Sequence, residues 1–507
     1  MKTKLIIITI TILSITALLK GYAQNGDSYE QHFIDRYGTI PPYIRWNMAV
    51  NQTLVIKTNE TSTITVFGSI ATNLRGLKKL AVFKNIKGTQ TLNFDRPFQQ
   101  TILYILINKG GTSHGYFVQA NDALLTIEDT YNYDDNFILS NCVTQENKDI
   151  PVDQYVLSIL TEDNNNLGKV TQSSQYISDG NPIVITPVYS NCGYTNTFGI
   201  YIQEGDSIGQ TLDLWTKKTN HTSGIISRPV FTITLPIGTV FGYYIKNYNG
   251  TFYSDASFNK QQARTAGMLK GDDCWYLAFE DMPYNGDMDY NDMVFKIEST
   301  NQVLDNDPCE WTIAVETDEY DSDFDFNDVV FKFSYVKGDN QILFTPLASG
   351  TNKKVDIYLN DSLLGEIHEM LNASNYDYIN VNANTTPYPY TVTEYPFYVN
   401  IPELFSVSDD MGGFTVKVDN RTISHPKDGH APQMLLISSG DWKWPSENYT
   451  IDDSYPNFPW KDYNVLNIPT KSTINDIDDY WYTMQGIKVE KPLKGIFIKQ
   501  RKKVIIR

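Results

Sequence analysis

Two carboxylate-rich phrases set 36 residues apart hold the side chains whose types and spacing could do chemistry. The first runs Trp275-Tyr-Leu-Ala-Phe-Glu280, then Asp287-Met-Asp289-Tyr-Asn291-Asp292-Met-Val294-Phe295-Lys296. The second runs Trp311-Thr-Ile-Ala-Val-Glu316, then Asp323-Phe-Asp325-Phe-Asn327-Asp328-Val-Val330-Phe331-Lys332. Trp, Ala, Glu, the Asp-x-Asp pair, Asn, the third Asp, Val, Phe and Lys recur at one offset. Each copy reads as an apolar strand, a carboxylate-dense loop and a second apolar strand, the pattern of a β-hairpin.

Such loops need a physical reason. On an extended chain Asp287 and Asp289 would point the same way about 6.8 Å apart. Two carboxylates near 6 Å repel by somewhat under about 1 kcal/mol in water and by more where water is excluded. A cation relieves that repulsion. Calcium takes about 6–8 oxygens at about 2.3–2.6 Å, so its ligands lie within about 5 Å of one another and the loop must curl. Magnesium fits less well because it retains waters and avoids all-protein cages. The expected ligands are Glu280, Asp287, Asp289 and Asp292 for one Ca²⁺ and Glu316, Asp323, Asp325 and Asp328 for a second. Asn291 and Asn327 would supply a carbonyl or hold the turn. The loops are not EF-hands: Asp292 and Asp328 stand at the glycine position, and Ser334 replaces the terminal Glu of the second copy. The plain alternative is a pair of solvated acidic turns.

The elements that must position these loops are strands. Residues 40–135 alternate apolar and polar in short runs such as Thr61-Ser-Thr-Ile-Thr-Val-Phe67 and Thr101-Ile-Leu-Tyr-Ile-Leu-Ile107. A polar stretch at 145–180 marks a boundary, and strands resume with Ile183-Val-Ile-Thr-Pro-Val188, Thr197-Phe-Gly-Ile-Tyr-Ile202 and Val240-Phe-Gly-Tyr-Tyr-Ile245. The expected fold class is all-β, with multiple β-sandwich-like domains bearing acidic calcium-type hairpin loops. The domains would be 24–145, 181–300 ending in the first Asp-rich hairpin, and 301–467, followed by a separate tail at 470–507.

Met1 to Ala23 reads as a secretory signal, with Lys2 and Lys4, an apolar stretch from Leu5 to Leu19, and Gly21-Tyr-Ala23 as a small-residue cleavage site. No later stretch is long and apolar enough to span a membrane once that signal is removed. The formal charge of −18 becomes three units more negative without Lys2, Lys4 and Lys20, which excludes nucleic acid as a partner and favours cations. Four cysteines in an exported chain allow three pairings. Cys274 and Cys309 precede equivalent strands, so Cys274–Cys309 with Cys142–Cys192 is the preferred pairing.

Weaker constellations carry blander readings. Gly111-Thr-Ser113-His-Gly115 matches a nucleophile pattern, but strand follows strand there rather than helix, so a hairpin turn is expected. Asp129 to Asn136 reads as an ordinary acidic loop. His368, on a one- or two-turn helix, reads as exposed or capping. Trp442, Trp444, Tyr449, Tyr455, Phe458 and Trp460 read as core closure, with a sugar-stacking platform as the alternative.

Three resemblances follow from these residues. Tyr253-Ser-Asp255, Phe279-Glu280-Asp281 and Asp287 to Phe295 resemble a family of bacterial extracellular β domains of unknown function. Asp323 to Phe331, Thr345-Pro-Leu-Ala-Ser-Gly350, Leu364 to Leu371, Asp441-Trp-Lys-Trp-Pro445 and Ser454 to Phe458 resemble an LruC-type surface-protein domain. The basic tail, two short strands around Lys491-Pro-Leu-Lys-Gly495, is similar to type IX-like sorting segments but shorter. These resemblances imply an extracellular calcium-binding β module at the Gram-negative outer membrane and no activity. The expected function is therefore an exported, calcium-stabilised cell-surface β protein, non-enzymatic, serving adhesion, matrix or scaffold roles with glycans or surface proteins as possible partners. The rivals are a glycan-binding module and a glycan-active enzyme.

Overall fold

The computed structural model describes residues 28–458 apart from 43, 70–76, 101, 121–123, 131–136, 162–169, 173–174, 218–223, 226–228, 272–273, 283–285, 300–302, 320–321, 374, 385–391, 448 and 457, together with the strand segments 481–483, 488–489, 495–499 and 502–506. The signal-like segment 1–23 lies outside the described residues. The chain is all-β in character and divides into two compact units: 51–309 with 335–339 and 472–507, and 1–50 with 310–334 and 340–471.

The first unit contains a β-sandwich. Strands Asn196–Glu204, Ser207–Lys217 and Val240–Asn247 form one antiparallel layer. Strands Ile183–Ser190, Met293–Glu298, Trp275–Phe279 and Ala266–Lys270 form the other. Alternate residues point to opposite faces of a strand, and the burial follows that period. Leu277, Phe279, Phe295 and Ile297 face Phe198, Ile200, Tyr243 and Ile245 in the inter-layer core. Tyr276, Ala278 and Val294 face the other way and are covered by Val156, Ile159 and Leu160 of the helix Gln154–Thr161. The sequence pattern shows only a boundary at 145–180. The helix is not legible there because eight residues are too few to show a periodicity. At the centre of the sandwich the rings of Phe198 and Phe295 stack with centroids 3.7 Å apart.

The same unit carries the hairpin Ile102–Lys109 and Thr112–Gln119. Its turn uses Gly110 and Gly111 at φ 52° and 89°, the left-handed conformation that two-residue hairpin loops require. Ser113 and His114 are thus strand residues with structural partners. Ser113 Oγ lies 2.7 Å from Asn108 Oδ1 and 2.8 Å from Gly205 O, and His114 Nε2 lies 2.7 Å from Asp129 Oδ1. Burial works to raise the Asp129 carboxyl, but hydrogen bonds from His114, Lys109 and Tyr116 hold it well below the usual carboxylate range.

The second unit pairs the later part of the strand Val303–Val315 with Met434–Ile437 on one side and Val329–Tyr335 on the other. Val329–Tyr335 continues to Gln341–Ala348 and Phe397–Asn400. A four-stranded sheet, Val355–Leu359, Ser362–Glu366, Phe414–Val418 and Arg421–Ile423, meets it through Phe414, whose ring contacts Phe331, Phe333 and Phe344. The helix Ser28–Tyr37 also belongs here, since Tyr29, Phe33 and Tyr37 close on Phe324. By compactness 28–50 groups with 310–334 and 340–458, and 51–145 groups with 181–300, where Val143–Glu146 pairs directly with Val230–Ile233.

Three expectations are corrected or refined by the side chains. None of the four cysteines is disulfide-bonded, so the Cys274–Cys309 and Cys142–Cys192 bridges are not formed. Cys192 Sγ instead lies 3.1 Å from Ser190 Oγ, and Cys142 packs against the sandwich core. His368 is neither exposed nor capping: it is buried, and Glu366 caps the short helix Ile367–Met370 by accepting from His368 N and Glu369 N. Trp442, Trp444 and Phe458 are buried, with Trp442 stacked on Tyr455, so these aromatics close a core. Trp460 lies outside the described residues.

Two outcomes follow. Phe198→Ala should cost about 3–5 kcal/mol, because a fully buried ring at a layer interface leaves a cavity. A melt unchanged from the parent would contradict the sandwich packing. Thiol titration of the denatured, unreduced chain should find four reactive cysteines, and two or none would restore a disulfide.

Candidate metal centre

Both acidic loops lie between paired neighbouring strands, as their sequence pattern predicts. The first joins Trp275–Phe279 to Met293–Glu298 in register Phe279 to Met293. The second lies between the neighbours Val303–Val315 and Val329–Tyr335. Each loop curls by the same backbone device. The residues between the acidic positions are left-handed: Met288 and Tyr290 at φ 59° and 54°, Phe324 and Phe326 at φ 57° and 56°. A left-handed non-glycine residue costs roughly 1–2 kcal/mol, and strain of this kind collects at ligand clamps and other functional sites. Here it turns the Asp-x-Asp side chains toward a common focus.

The carboxylates converge accordingly. One oxygen each from Glu280, Asp287 and Asp289 lie within 4.8 Å of one another, and Glu316, Asp323 and Asp325 do the same. That span matches the width of a calcium coordination shell, about 5 Å. Glu280, Asp289, Glu316 and Asp325 are buried, while Asp287 and Asp323 sit at the exposed rim. At an effective dielectric of about 20, like charges this close repel by about 3 kcal/mol per pair. Glu280 Oε1 accepts from Tyr290 N at 2.6 Å, but Glu280 Oε2 and Glu316 Oε2 are buried with no hydrogen-bond partner among the described residues. An unsatisfied buried carboxylate oxygen is costly, and a cation is the group that satisfies it.

The titration behaviour has the same cause. Burial, then the nearby Asp289, Asp287 and Asp281 charges, pushes Glu280 up to about 7. Burial and Asp323 push Asp325 up to about 9. Glu316 is raised well above the usual range by burial and by Asp328, Asp325 and Asp323.

The third Asp of each motif anchors its loop. Asp292 Oδ2 accepts from Asp281 N at 2.7 Å. Asp328 Oδ2 accepts from Thr317 N at 2.5 Å and from Thr317 Oγ1 at 2.8 Å. Each therefore uses an oxygen to tie the loop's end to the strand end opposite, and neither belongs to the converged set of three. Asn291 and Asn327 hold the turn: their backbone N–H groups donate to Asp289 Oδ1 at 3.0 Å and Asp325 Oδ1 at 2.9 Å, and their amides reach the second oxygen of the same Asp. Each amide also donates to a distant carbonyl, Leu160 O at 3.3 Å in the first copy and Pro445 O at 3.2 Å in the second.

Sequence repetition hid two features. Asp281 and Thr317 occupy equivalent positions, so the first loop has an extra carboxylate where the second has a hydroxyl. Glu447, far from either motif, lies beside the second loop and is pushed up to about 7 by burial and by Asp323 and Asp328. The only sequence signal for Glu447 was its place in the Trp442–Trp460 aromatic stretch.

A Ser-His-Glu arrangement also occurs, with Ser349 Oγ 3.1 Å from His368 Nε2 and His368 Nδ1 2.7 Å from Glu366 Oε1. His368 Nε2 also lies 2.9 Å from Thr351 O, so the ring is held among several structural partners rather than by Ser349 alone. All three side chains are buried.

Among known proteins, residues 213–300, which contain the first loop, match the model of a domain of unknown function, DUF4114. No curated protein matches. Among solved structures, a calcium-bound pair of domains from extended synaptotagmin 2 aligns with 52% of this chain and 98% of that one, at 8% identity and a TM-score of 0.13. A score that low carries no argument about fold or function. What stands is a similarity to DUF4114 over residues 213–300, within an all-β chain.

Proposed function

We propose that this chain is an exported β protein of the bacterial cell surface, stabilised by two calcium ions and serving an adhesion, matrix or scaffold role without catalysis. The observation that carries the calcium reading is a buried Glu with an unpartnered oxygen in each group of three converged carboxylates, found twice. Export is supported by the signal-like segment 1–23, and surface delivery by the resemblance of the tail to type IX-like sorting segments. The resemblance of 301–467 to an LruC-type surface module supports the same setting.

Duplication weighs against the glycan-active enzyme. Acid and base carboxylates need different environments, and a retaining pair stands about 5–5.5 Å apart on either side of a bond. Both loops instead gather the same three carboxylates around one point, as repeated cation sites do. The glycan platform loses support from the burial of Trp442, Trp444 and Phe458. Glycan-array binding through Tyr449, which is exposed, would revive it.

The calcium reading has a signed pH consequence. Glu280 and Asp325 have metal-free folded-state values raised to about 7 and about 9, above ordinary carboxylates near about 4. The folded chain then binds more protons than the unfolded one across that window, so stability falls as pH rises from about 4 toward about 9. In chelator the melting temperature should drop between pH 5 and pH 8. In several millimolar calcium the drop should vanish or reverse, because the ion replaces the protons. A pH profile indifferent to calcium would remove the reading.

Substitution separates the two loops. Saturation at a hundred times the dissociation constant stabilises by about 2.7 kcal/mol per site. Asp289→Asn and Asp325→Asn should each abolish about half of the calcium-induced rise in melting temperature, and the double variant nearly all of it. In chelator each variant's own melt sets the metal-free baseline for that difference. Retention of the full rise in the double variant would show that calcium acts elsewhere.

Export has its own check. Protein recovered from outside the inner membrane should begin at or near Gln24, and recovery there with Met1 retained would contradict it.

A further inference from the structure

Gly286 stands just before Asp287 in the first loop, and no left-handed φ explains a glycine there. What it supplies is room. A Cβ at this position would fall 2.5 Å from Glu280 Oε2 and 2.8 Å from Met282 O, closer than side-chain carbons come to other heavy atoms. Neither oxygen steps aside cheaply. Met282 O is backbone, and the Glu280 carboxylate is held through its other oxygen by the 2.6 Å bond from Tyr290 N. Glycine is the residue that lets a chain pass this close to another group.

Two oxygens so near one point lie within about 5 Å of each other, the width of a calcium coordination shell. One of them belongs to Glu280, which is 3% exposed and leaves Oε2 without a hydrogen-bond partner among the described residues. The same carboxylate shares the converged group with Asp287 and Asp289. Met282 O thus meets that group's glutamate from the backbone side. Calcium accepts carbonyl oxygens beside carboxylates and takes about 6–8 donors in all. A carbonyl adds a donor without adding charge to three groups that already repel one another. The second loop is built differently at both positions. Ser322 stands where Gly286 does, and its Oγ accepts from Phe324 N at 3.2 Å. Asp318 stands where Met282 does and pairs with Lys353.

We propose that the Met282 carbonyl is a ligand of the first cation, and that Gly286 is the specificity-determining residue that lets it face the Glu280 carboxylate. This rests on the calcium reading of the loops. It makes the two sites unequal. The first joins three carboxylates to a neutral backbone oxygen, and it alone is sensitive to side-chain size at the residue before the Asp-x-Asp pair.

The test uses the full chain, calcium and chelator. Met282 is the one methionine followed by proline, so ¹³C-carbonyl methionine combined with ¹⁵N proline isolates a single carbonyl signal by their one-bond coupling. That signal should move as calcium fills the first site and return in chelator. By calorimetric titration the parent should bind two ions, and Gly286→Ala should weaken one of them at least tenfold while leaving the other unchanged. The unchanged ion reports that the variant is folded, and the carbonyl signal is read in the parent whatever the variant does. A Met282 signal that stays still while two ions bind would overturn the proposal, as would a Gly286→Ala variant that binds both ions like the parent. If the parent binds no calcium, the reading of both loops fails and this ligand with it. If two ions bind and only the Met282 and Gly286 results fail, the reading of the loops stands and the ligand is refuted.

Discussion

Like charge held at short range is the constraint on which both halves of this molecule turn. Each acidic loop forces three carboxylates to within 4.8 Å, with one glutamate oxygen buried and unpartnered. The cost is met in part by tight anchoring. A backbone N–H and the amide of Asn291 or Asn327 hold one Asp, while Asp292 or Asp328 ties the loop's end to the opposing strand. Those anchors fix where the charges sit, but they do not neutralise them. The divalent cation proposed for the shared focus would, and it would also give a purpose to four left-handed non-glycine residues.

The surrounding architecture supplies rigidity to the anchors. In the first unit the strand leading into Glu280 is buried on both faces, by Phe198 and its neighbours on one side and by the helix Gln154–Thr161 on the other. The same helix offers Leu160 O to Asn291, so packing and loop geometry are set together. In the second unit the aromatic residues of the loop are themselves core residues, since Phe324 and Phe326 are buried. The first loop has an exposed Met288 at the position of Phe324. One motif is thus embedded in two ways, which is how a repeated sequence comes to serve two different local structures.

Much of this was legible in the sequence, and the physical reasons for success and failure differ. Strand–loop–strand at both copies followed from apolar runs such as Trp275–Phe279 flanking a polar turn. The focus of Glu280, Asp287 and Asp289 followed from charge repulsion and ligand geometry. The hairpin at Gly110–Gly111 and the core role of Trp442 and Trp444 were also readable from local pattern. Misreadings came from pairing in space. The position of Cys274 and Cys309 before equivalent strands does not bring their sulfurs together. His368 was read from a four-residue helix whose buried partners, Ser349 and Thr351, lie well upstream in sequence. The separate roles of Asp289 and Asp292 depend on which backbone N–H each carboxylate meets, and spacing does not encode that. Glu447 was invisible because its proximity to the second loop is created by the fold alone.

The most direct measurement is anomalous diffraction from crystals of the chain grown in several millimolar calcium and soaked with terbium, which takes similar oxygen-rich sites. The account predicts two strong peaks, one among Glu280, Asp287 and Asp289 and one among Glu316, Asp323 and Asp325. Loops that keep their curled backbone but show no peak at either focus would contradict it, and the paired acidic turns would then be solvated hairpin ends.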